Sequence, residues 1–442
     1  MRILLVSTYE LGHQPLGVAA PAAALIEAGH QVAAIDLAVD PLDIELVDWA
    51  ERIAISVPMH TAMRIGVEVA GRIRSHDSGK PIAMYGLYAA MGADRTVGQV
   101  VDVAIVGEYQ PQLLRWAAGE DVGSVVTDLS IGSFPAPARH LLPGLERYAH
   151  LQHGEEHRKV GYVEASHGCR HKCRHCPIPA VYDGLYRVVG IDPLLADIGA
   201  LVDMGAEHIT FGDPDFLNGP VHSMRAIERA HQAFPQVTFD VTIKVEHLLA
   251  HADVLPRLVA VGTLFVVSAF ESTDDRSLTL LDKGHTVADM EQAVVIARAA
   301  GIDIHPSWMP FMPWTEPTHV VEIFRFLDRH DLLGITDPVQ MSIRLLVPEG
   351  SLILDVAADQ MGAYDPAALS YPWRSEDPRS DRLQTELAAI AAAHADSARD
   401  PLETLIDMWA VALDVAGDDP AEAQIPAGAT AGRPRMTEPW FC

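Results

Sequence analysis

The stretch that decides the fold reads Gly161-Tyr-Val-Glu-Ala-Ser-His-Gly-Cys169-Arg-His-Lys-Cys173-Arg-His-Cys176. A strand-like run ends in a glycine that lets the backbone turn sharply, and three thiols follow at once. The chain has four cysteines, and the fourth, Cys442, stands far away. Such usage does not read as a disulfide framework; it reads as a metal site in a reducing compartment. Iron-sulfur clusters are held by thiolates, and three close cysteines with no nearby fourth leave one iron for another ligand. The interleaved His167, His171 and His175 keep a three-cysteine, one-histidine zinc site as the alternative.

Outward from this point the chain alternates short apolar runs with helix-compatible stretches. Upstream, runs at 2–6, 31–35, 53–57, 81–85 and 103–106, with a helical stretch at 61–75, predict an α/β unit over residues 1–125. Its form is a doubly wound parallel sheet, whose ligands sit at the carboxyl ends of the strands. Proline and glycine punctuation predicts a linker over 126–160. Downstream, runs at 161–164, 208–211, 238–242, 264–268, 302–305 and 340–343 predict a parallel (β/α) barrel, open or closed, within residues 161–375. Residues 376–442 are expected to hold a helical stretch at 381–416 and a low-complexity tail without fixed structure.

The 442 residues are 49% hydrophobic and 21% charged, which suits two packed units and a shorter extension. Thirty-two basic against sixty acidic residues give a net charge of -28, which argues against a broad grip on nucleic acid or on an anionic membrane. The apolar run at 3–7 is too short for a signal core, and no later segment reaches about 20 apolar residues. A cytoplasmic protein is expected.

The C-x3-C-x2-C arrangement after a strand resembles the cluster loop of the radical S-adenosylmethionine (SAM) superfamily. The resemblance implies a [4Fe-4S] cluster on Cys169, Cys173 and Cys176, with the amino and carboxylate groups of SAM on the fourth iron. His175 takes the position before the last cysteine, where the family usually has an aromatic residue near the adenine. Gly212-Asp213-Pro214 resembles the Gly-Glu-Pro-type motif that receives the amino group of SAM; read alone, Asp213 and Asp215 are equally a helix cap or turn pair. Ser268-Ala-Phe-Glu271-Ser272 followed by Asp282-Lys-Gly-His-Thr286 resembles the "ES…KGHT" signature of cobalamin-type radical enzymes, which implies that Ser268 and Glu271 face the cofactor. Pro310-Phe-Met-Pro-Trp-Thr-Glu-Pro317 and Leu346-Val-Pro-Glu-Gly350 resemble later loops of that group, with Met312-Pro313 replacing the usual glycine. Turn chemistry explains these two loops without direct binding.

The first unit is similar to the cobalamin-binding-type domain that precedes many such enzymes, on Ala28-Gly29-His30, Ile55-Ser56-Val57, Tyr85-Gly86 and Ile105-Val-Gly-Glu108. Its first loop, Glu10-Leu-Gly-His13-Gln-Pro-Leu-Gly17, lacks the D-x-H-x-x-G pattern. His13 therefore reads more readily as an ordinary polar histidine than as a ligand, and cobalamin is left open. The end, Thr437-Glu438-Pro439-Trp-Phe-Cys442, resembles CUAEP/CCAEP-tail radical SAM proteins, with Arg435-Met436 where the paired cysteine or selenocysteine would stand. Cys442 is thus a lone catalytic candidate, set against an idle thiol.

These resemblances imply a transferase-type radical SAM enzyme that acts on a small metabolite, by methyl transfer if cobalamin binds. The alternatives are transfer of a SAM fragment to a soft acceptor such as arsenic, and a non-catalytic metal-binding sensor. Expected partners are a small-molecule substrate and an electron donor such as flavodoxin or ferredoxin, with no nucleic acid and no membrane.

Overall fold

The computed structural model describes residues 1–132, 135–395, 397, 399–425 and 432–437. In the first unit β1 (Arg2–Ser7), β2 (Gln31–Asp36), β3 (Arg52–Ser56), β4 (Ile82–Tyr85), β5 (Val103–Gly107) and β6 (Val125–Asp128) form one parallel sheet in the order 2-1-3-4-5-6. Alternate residues of β1 serve opposite faces. Leu4 and Val6 pack toward Met63, Val69 and Ile73 of helix His60–His76, while Ile3 and Leu5 pack toward Val18 and Leu25 of helix Leu16–Glu27. Covering both faces explains why the predicted strands read as unbroken apolar runs. The sixth strand lies at the start of the stretch read as a linker, where β6 pairs with β5 from Ala104↔Val125 to Gly107↔Asp128. Only half-buried at the sheet edge, it carries no such run.

The second unit contains β7 (His150–His153), β8 (Glu156–Val163), β9 (Ser166–Gly168), β10 (Tyr186–Val188), β11 (His208–Phe211), β12 (Thr238–Thr242), β13 (Thr263–Glu271), β14 (Asp303–Trp308) and β15 (Arg435–Met436). Its main sheet runs 14-13-12-11-8-7-15, with β8 and β11 to β14 parallel and β7 and β15 antiparallel at one edge. It curls into a half-barrel. The strand expected at 340–343 is absent: Pro338–Ser342 is a 3-10 turn, because Pro338 brings no N–H and the Asp337 carboxylate accepts from Val339 N. The Gln340 side chain instead accepts from Trp308 N, finishing the β14 edge without a further strand.

The outer face of the half-barrel packs Ile209, Phe211, Phe239, Val241 and Val266 against the helices. Its inner face is more polar, with His208 Nε2 2.8 Å from Asp240 Oδ1 and Phe265 stacked on His305 at 4.2 Å. The loop after β1 reaches this interior, where His13 stacks on Tyr162 with ring centroids 4.8 Å apart.

The single helical stretch expected at 381–416 is two helices, Pro378–Ala395 and Pro401–Ala416; Asp400 caps the second through Leu402 N, and Pro401 starts it. The tail is more ordered than expected among its described residues. Arg325 binds Asp418 and Glu422, Arg433 binds Asp303, and Met436 pairs with Leu151 on β7. Cys442 lies outside the described residues. Among the described residues no helix is long and apolar enough to cross a membrane.

Candidate active site

The three thiols leave β9 through Gly168, whose φ is +74°. A Cβ there would press on Leu185 O and the Tyr182 ring, so the turn depends on glycine. Cys169 and Cys173 are buried and Cys176 is half-buried. Asn218 holds the start of the loop: its Oδ1 accepts from Arg170 N at 3.2 Å and lies 3.7 Å from Cys169 Sγ. The middle is tied across the barrel, with Arg174 N on Leu281 O and its guanidinium on Leu280 O. Ser351, just past the loop 346–350, hydroxyl-bonds Arg174 O.

Each interleaved histidine meets a carboxylate: His167 Nδ1 is 3.0 Å from Glu108, His175 Nε2 3.2 Å from Glu271 and His171 Nε2 3.4 Å from Asp215. The three thiols share one short loop, which suits an iron-sulfur cluster.

Glu271 ends β13 at a register shift and sits at φ +66°, a left-handed conformation rare for a residue with a side chain. The twist puts its carboxylate 3.0 Å from Lys283 Nζ and beside His175. Burial alone would raise its pKa, but Lys283 and then His175 hold it well below the usual carboxylate range. Lys283 is raised despite burial by Glu271 and by the Cys173 thiol. His285 is lowered to about 4 by burial and by Lys283, and neither of its ring nitrogens is hydrogen-bonded. The buried Ser268 Oγ likewise has no hydrogen bond. These open polar atoms line the part of the barrel that the cofactor motifs single out.

Gly212 follows β11 where any side chain would overlap the Tyr162 phenol. Asp213 is buried, and it accepts from Ala165 N at 2.9 Å and Ser166 Oγ at 2.5 Å. It ties β11 to the strand that carries the cysteines. Burial lifts its pKa to about 7, against the pull of those two donors. Asp215 caps the turn at Phe216–Asn218 through Leu217 N, as its turn reading expects.

Between the carboxyl ends of β1, β3, β4 and β5 and the mouth of the half-barrel lies a cavity of about 530 Å³, lined by Glu10, Ser56, Glu108, Tyr109, Glu164, Ser166 and His167 among others. Its volume falls within the range of small-molecule sites. Glu108 spans the two units, accepting from Tyr182 Oη at 2.9 Å and pairing with His167. Burial pulls His167 down, but Glu108 and Glu164 carry it up to about 9, so it is an imidazolium at neutral pH. Burial raises Glu10 to about 8 even though Gly17 N donates to it. His13 is absent from the lining; its pKa is lowered to about 4 by burial. The sequence offered no local signal for Asn218 as a site residue, and Lys283 stood only as part of the KGHT motif. Glu108 stood only as part of a strand-end pattern.

Residues 163–327 match the model of the Radical SAM superfamily. The cobalamin-dependent SAM radical enzyme OxsB, with aqua-cobalamin and SAM bound, is similar at TM-score 0.67 and 14% identity over 93% of this chain and 72% of that one. TsrM, a radical SAM methyltransferase from Kitasatospora setae with cobalamin and a [4Fe-4S] cluster bound, is similar at TM-score 0.65 and 15% identity over 96% and 91%. At such identities the likeness is one of fold. A tRNA uridine(34) acetyltransferase of Dehalococcoides mccartyi (strain CBDB1) is 29% identical over 73 residues, so the chain spans 16% of that curated relative's length. Residues 163–327 thus carry a radical SAM superfamily domain, and the two-unit fold around it is similar to that of OxsB and TsrM.

Proposed function

We propose that the chain is a radical SAM enzyme that acts on a small molecule held in the cavity between the sheet and the half-barrel. The observation that carries this reading is the loop of three thiols at the barrel mouth, fixed by Asn218 and facing the buried Glu271–Lys283–His175 group. Cys169, Cys173 and Cys176 fit a [4Fe-4S] cluster, which when bound supplies the electron that cleaves SAM to methionine and a 5′-deoxyadenosyl radical. Gly212, Asp213, Ser268, Glu271 and His175 are assigned to SAM. Lys283 keeps Glu271 ionised, so that the carboxylate can accept from hydroxyl or amino donors while His175 is held in place. Asp213, by fastening β9 to β11, fixes the distance between the thiols and the rest of the SAM site. Enclosure by the first unit excludes water from the reactive centre.

Cobalamin-dependent methyl transfer is the finer form of this proposal. The cleft lies at the carboxyl edge of a parallel sheet, where such folds place their ligands, and OxsB is a cobalamin-dependent enzyme and TsrM holds cobalamin in its structure. His13 does not fit as a ligand for the corrinoid, because it is buried against Tyr162 and outside the cavity.

The test is anaerobic reconstitution with iron and sulfide, reduction, addition of SAM with and without methylcobalamin, and assay for 5′-deoxyadenosine. Product from the wild type and none from Cys173→Ala supports the reading. A chain that retains only zinc and binds no SAM overturns it in favour of a sensor. Retention of corrinoid absorbance after desalting decides the cobalamin part.

A further inference from the structure

Next to the cysteine loop three side chains from three segments converge: His171 from the loop, Asp215 from the turn after β11, and His247 from helix Val245–Ala250 after β12. One atom of each, His171 Nε2, Asp215 Oδ2 and His247 Nδ1, lies within 4.8 Å of the others. Asp215 Oδ2 is 2.6 Å from His247 Nδ1 and 3.4 Å from His171 Nε2. The Asp215 side chain is 0% exposed, and the two histidines are 17% and 18% exposed. Contact at these distances should give hydrogen bonds. It does not: all three atoms are buried, and none has a hydrogen bond of acceptable direction. Three potential donor atoms that converge without a well-directed hydrogen bond leave buried polar groups poorly satisfied. A cation at that point satisfies all three at once.

We infer that His171, Asp215 and His247 form a second metal site, separate from the cysteines, that takes a borderline divalent ion of the zinc class. Two imidazoles and one carboxylate are the donors such an ion prefers, and three protein ligands leave a fourth position for water on the partly open side. The other oxygen of Asp215 is already occupied, since Oδ1 accepts from Leu217 N and Lys244 N. Those bonds orient the carboxylate so that Oδ2 faces the histidines, as second partners of a metal ligand do. Because His171 lies between Cys169 and Cys173, the ion staples the cluster loop to the carboxyl ends of two barrel strands. The inference needs only these three residues, and holds whether or not the chain cleaves SAM.

The test is metal content and coordination of the anaerobically reconstituted protein, loaded with zinc after its iron-sulfur centre is formed and then desalted. The expected result is a full iron complement plus one zinc per chain, with a nitrogen and oxygen shell at about 2.0–2.1 Å and no sulfur shell near 2.3 Å by X-ray absorption. His247→Gln and Asp215→Asn should each lose the zinc; His247→Gln, which leaves the cap at Leu217 intact, should keep its iron and its melting profile without zinc. A Cys169→Ala, Cys173→Ala, Cys176→Ala triple variant should still bind the zinc. No zinc retained by the wild type, zinc bound through sulfur, or zinc that survives in His247→Gln overturns the inference.

Discussion

Arg139→Met is the substitution with the best-defined expected cost. Arg139 is 1% exposed and makes a two-pronged bond to Asp197, Nε to Oδ1 at 2.8 Å and Nη2 to Oδ2 at 2.9 Å. It also donates to Gln14 O at 3.1 Å and Tyr162 O at 2.6 Å. One side chain thus joins the connecting segment, the loop after β1, strand β8 and helix Ile191–Asp203. Methionine preserves most of the volume but leaves the Asp197 carboxylate, 5% exposed, with no counter-charge. Breaking a buried pair from one side costs about 3–5 kcal/mol. At ~2–4 °C per kcal/mol for a cooperative unit of moderate size, the melting temperature should fall by roughly 6–20 °C. Arg139→Met combined with Asp197→Leu removes the stranded charge and should recover most of that loss, because replacing both members of a buried pair is often nearly neutral. Calorimetry on the four proteins of the cycle is the assay. If the single variant loses less than ~1 kcal/mol, or the double variant is no better than the single, the pair does not carry the junction as described.

Gly168→Ala forces a side chain into a left-handed position against Leu185 O and Tyr182. We expect a loss of about 1–3 kcal/mol and reduced iron uptake, read by iron analysis after reconstitution. Lys283→Met leaves Glu271 buried without its cation, so its pKa should rise toward neutrality. SAM affinity should then fall as pH drops toward 6, a dependence absent from the wild type and measurable by equilibrium dialysis. Glu10 has a folded pKa of about 8 against 4.5 ordinarily, so the folded state binds more protons in that window and stability declines as pH rises through it. Glu10→Gln should flatten that decline; melting curves of the two proteins that stay parallel between pH ~5 and ~8.5 would count against it.

The fold was legible where burial on both faces forces continuous apolar runs, as in β1, β3 and β5, and where one polar face leaves strict alternation, as in β11 and β12. It was illegible where a segment is held by partners distant in sequence. Strand β6 depends on β5 for its hydrogen bonds and shows solvent on alternate residues. The alternating stretch Gln340-Met-Ser-Ile343 looks like a strand, yet Asp337 and Pro338 bend it into a turn. The cysteines were legible because a metal loop needs its donors close together in the chain. Of the groups around that loop, Glu271 and Lys283 stood in the ES…KGHT segments, whereas Asn218 reaches it from beyond β11 with no local pattern, and the φ of Glu271 has no signature in composition. His175 was singled out as a departure from the usual aromatic residue. Its contact with Glu271 gives that departure a physical reason, because an imidazole can bind a buried carboxylate and a phenyl ring cannot.

The same logic assigns the first unit a task that needs no corrinoid. Glu108, at the carboxyl end of β5, reaches across the cavity to His167 on the strand that precedes Cys169, and to Tyr182 of the helix that follows Cys176. The sheet therefore grips the cluster loop at both ends. His167 has its pKa raised from 6.5 to about 9, so this grip is complete below pH 6.5 and is lost as pH rises through about 9. A rise of that size corresponds to about 3 kcal/mol at most, discounted for the 23% exposure of the ring. Glu108→Gln should lower the stability of the protein near neutral pH and shrink its decline between pH ~6.5 and ~9, leaving the part due to Glu164, in a window above most of the one that Glu10 controls. In the same variant the loop should lose order, so iron release to a chelator should quicken near neutral pH and change less with pH. If iron release is unchanged while the stability curve flattens, the pair holds the two units together without fixing the cluster. If neither changes, the contact between Glu108 and His167 contributes nothing in solution, and the placement of the thiols rests on Asn218, Asp213 and the barrel alone.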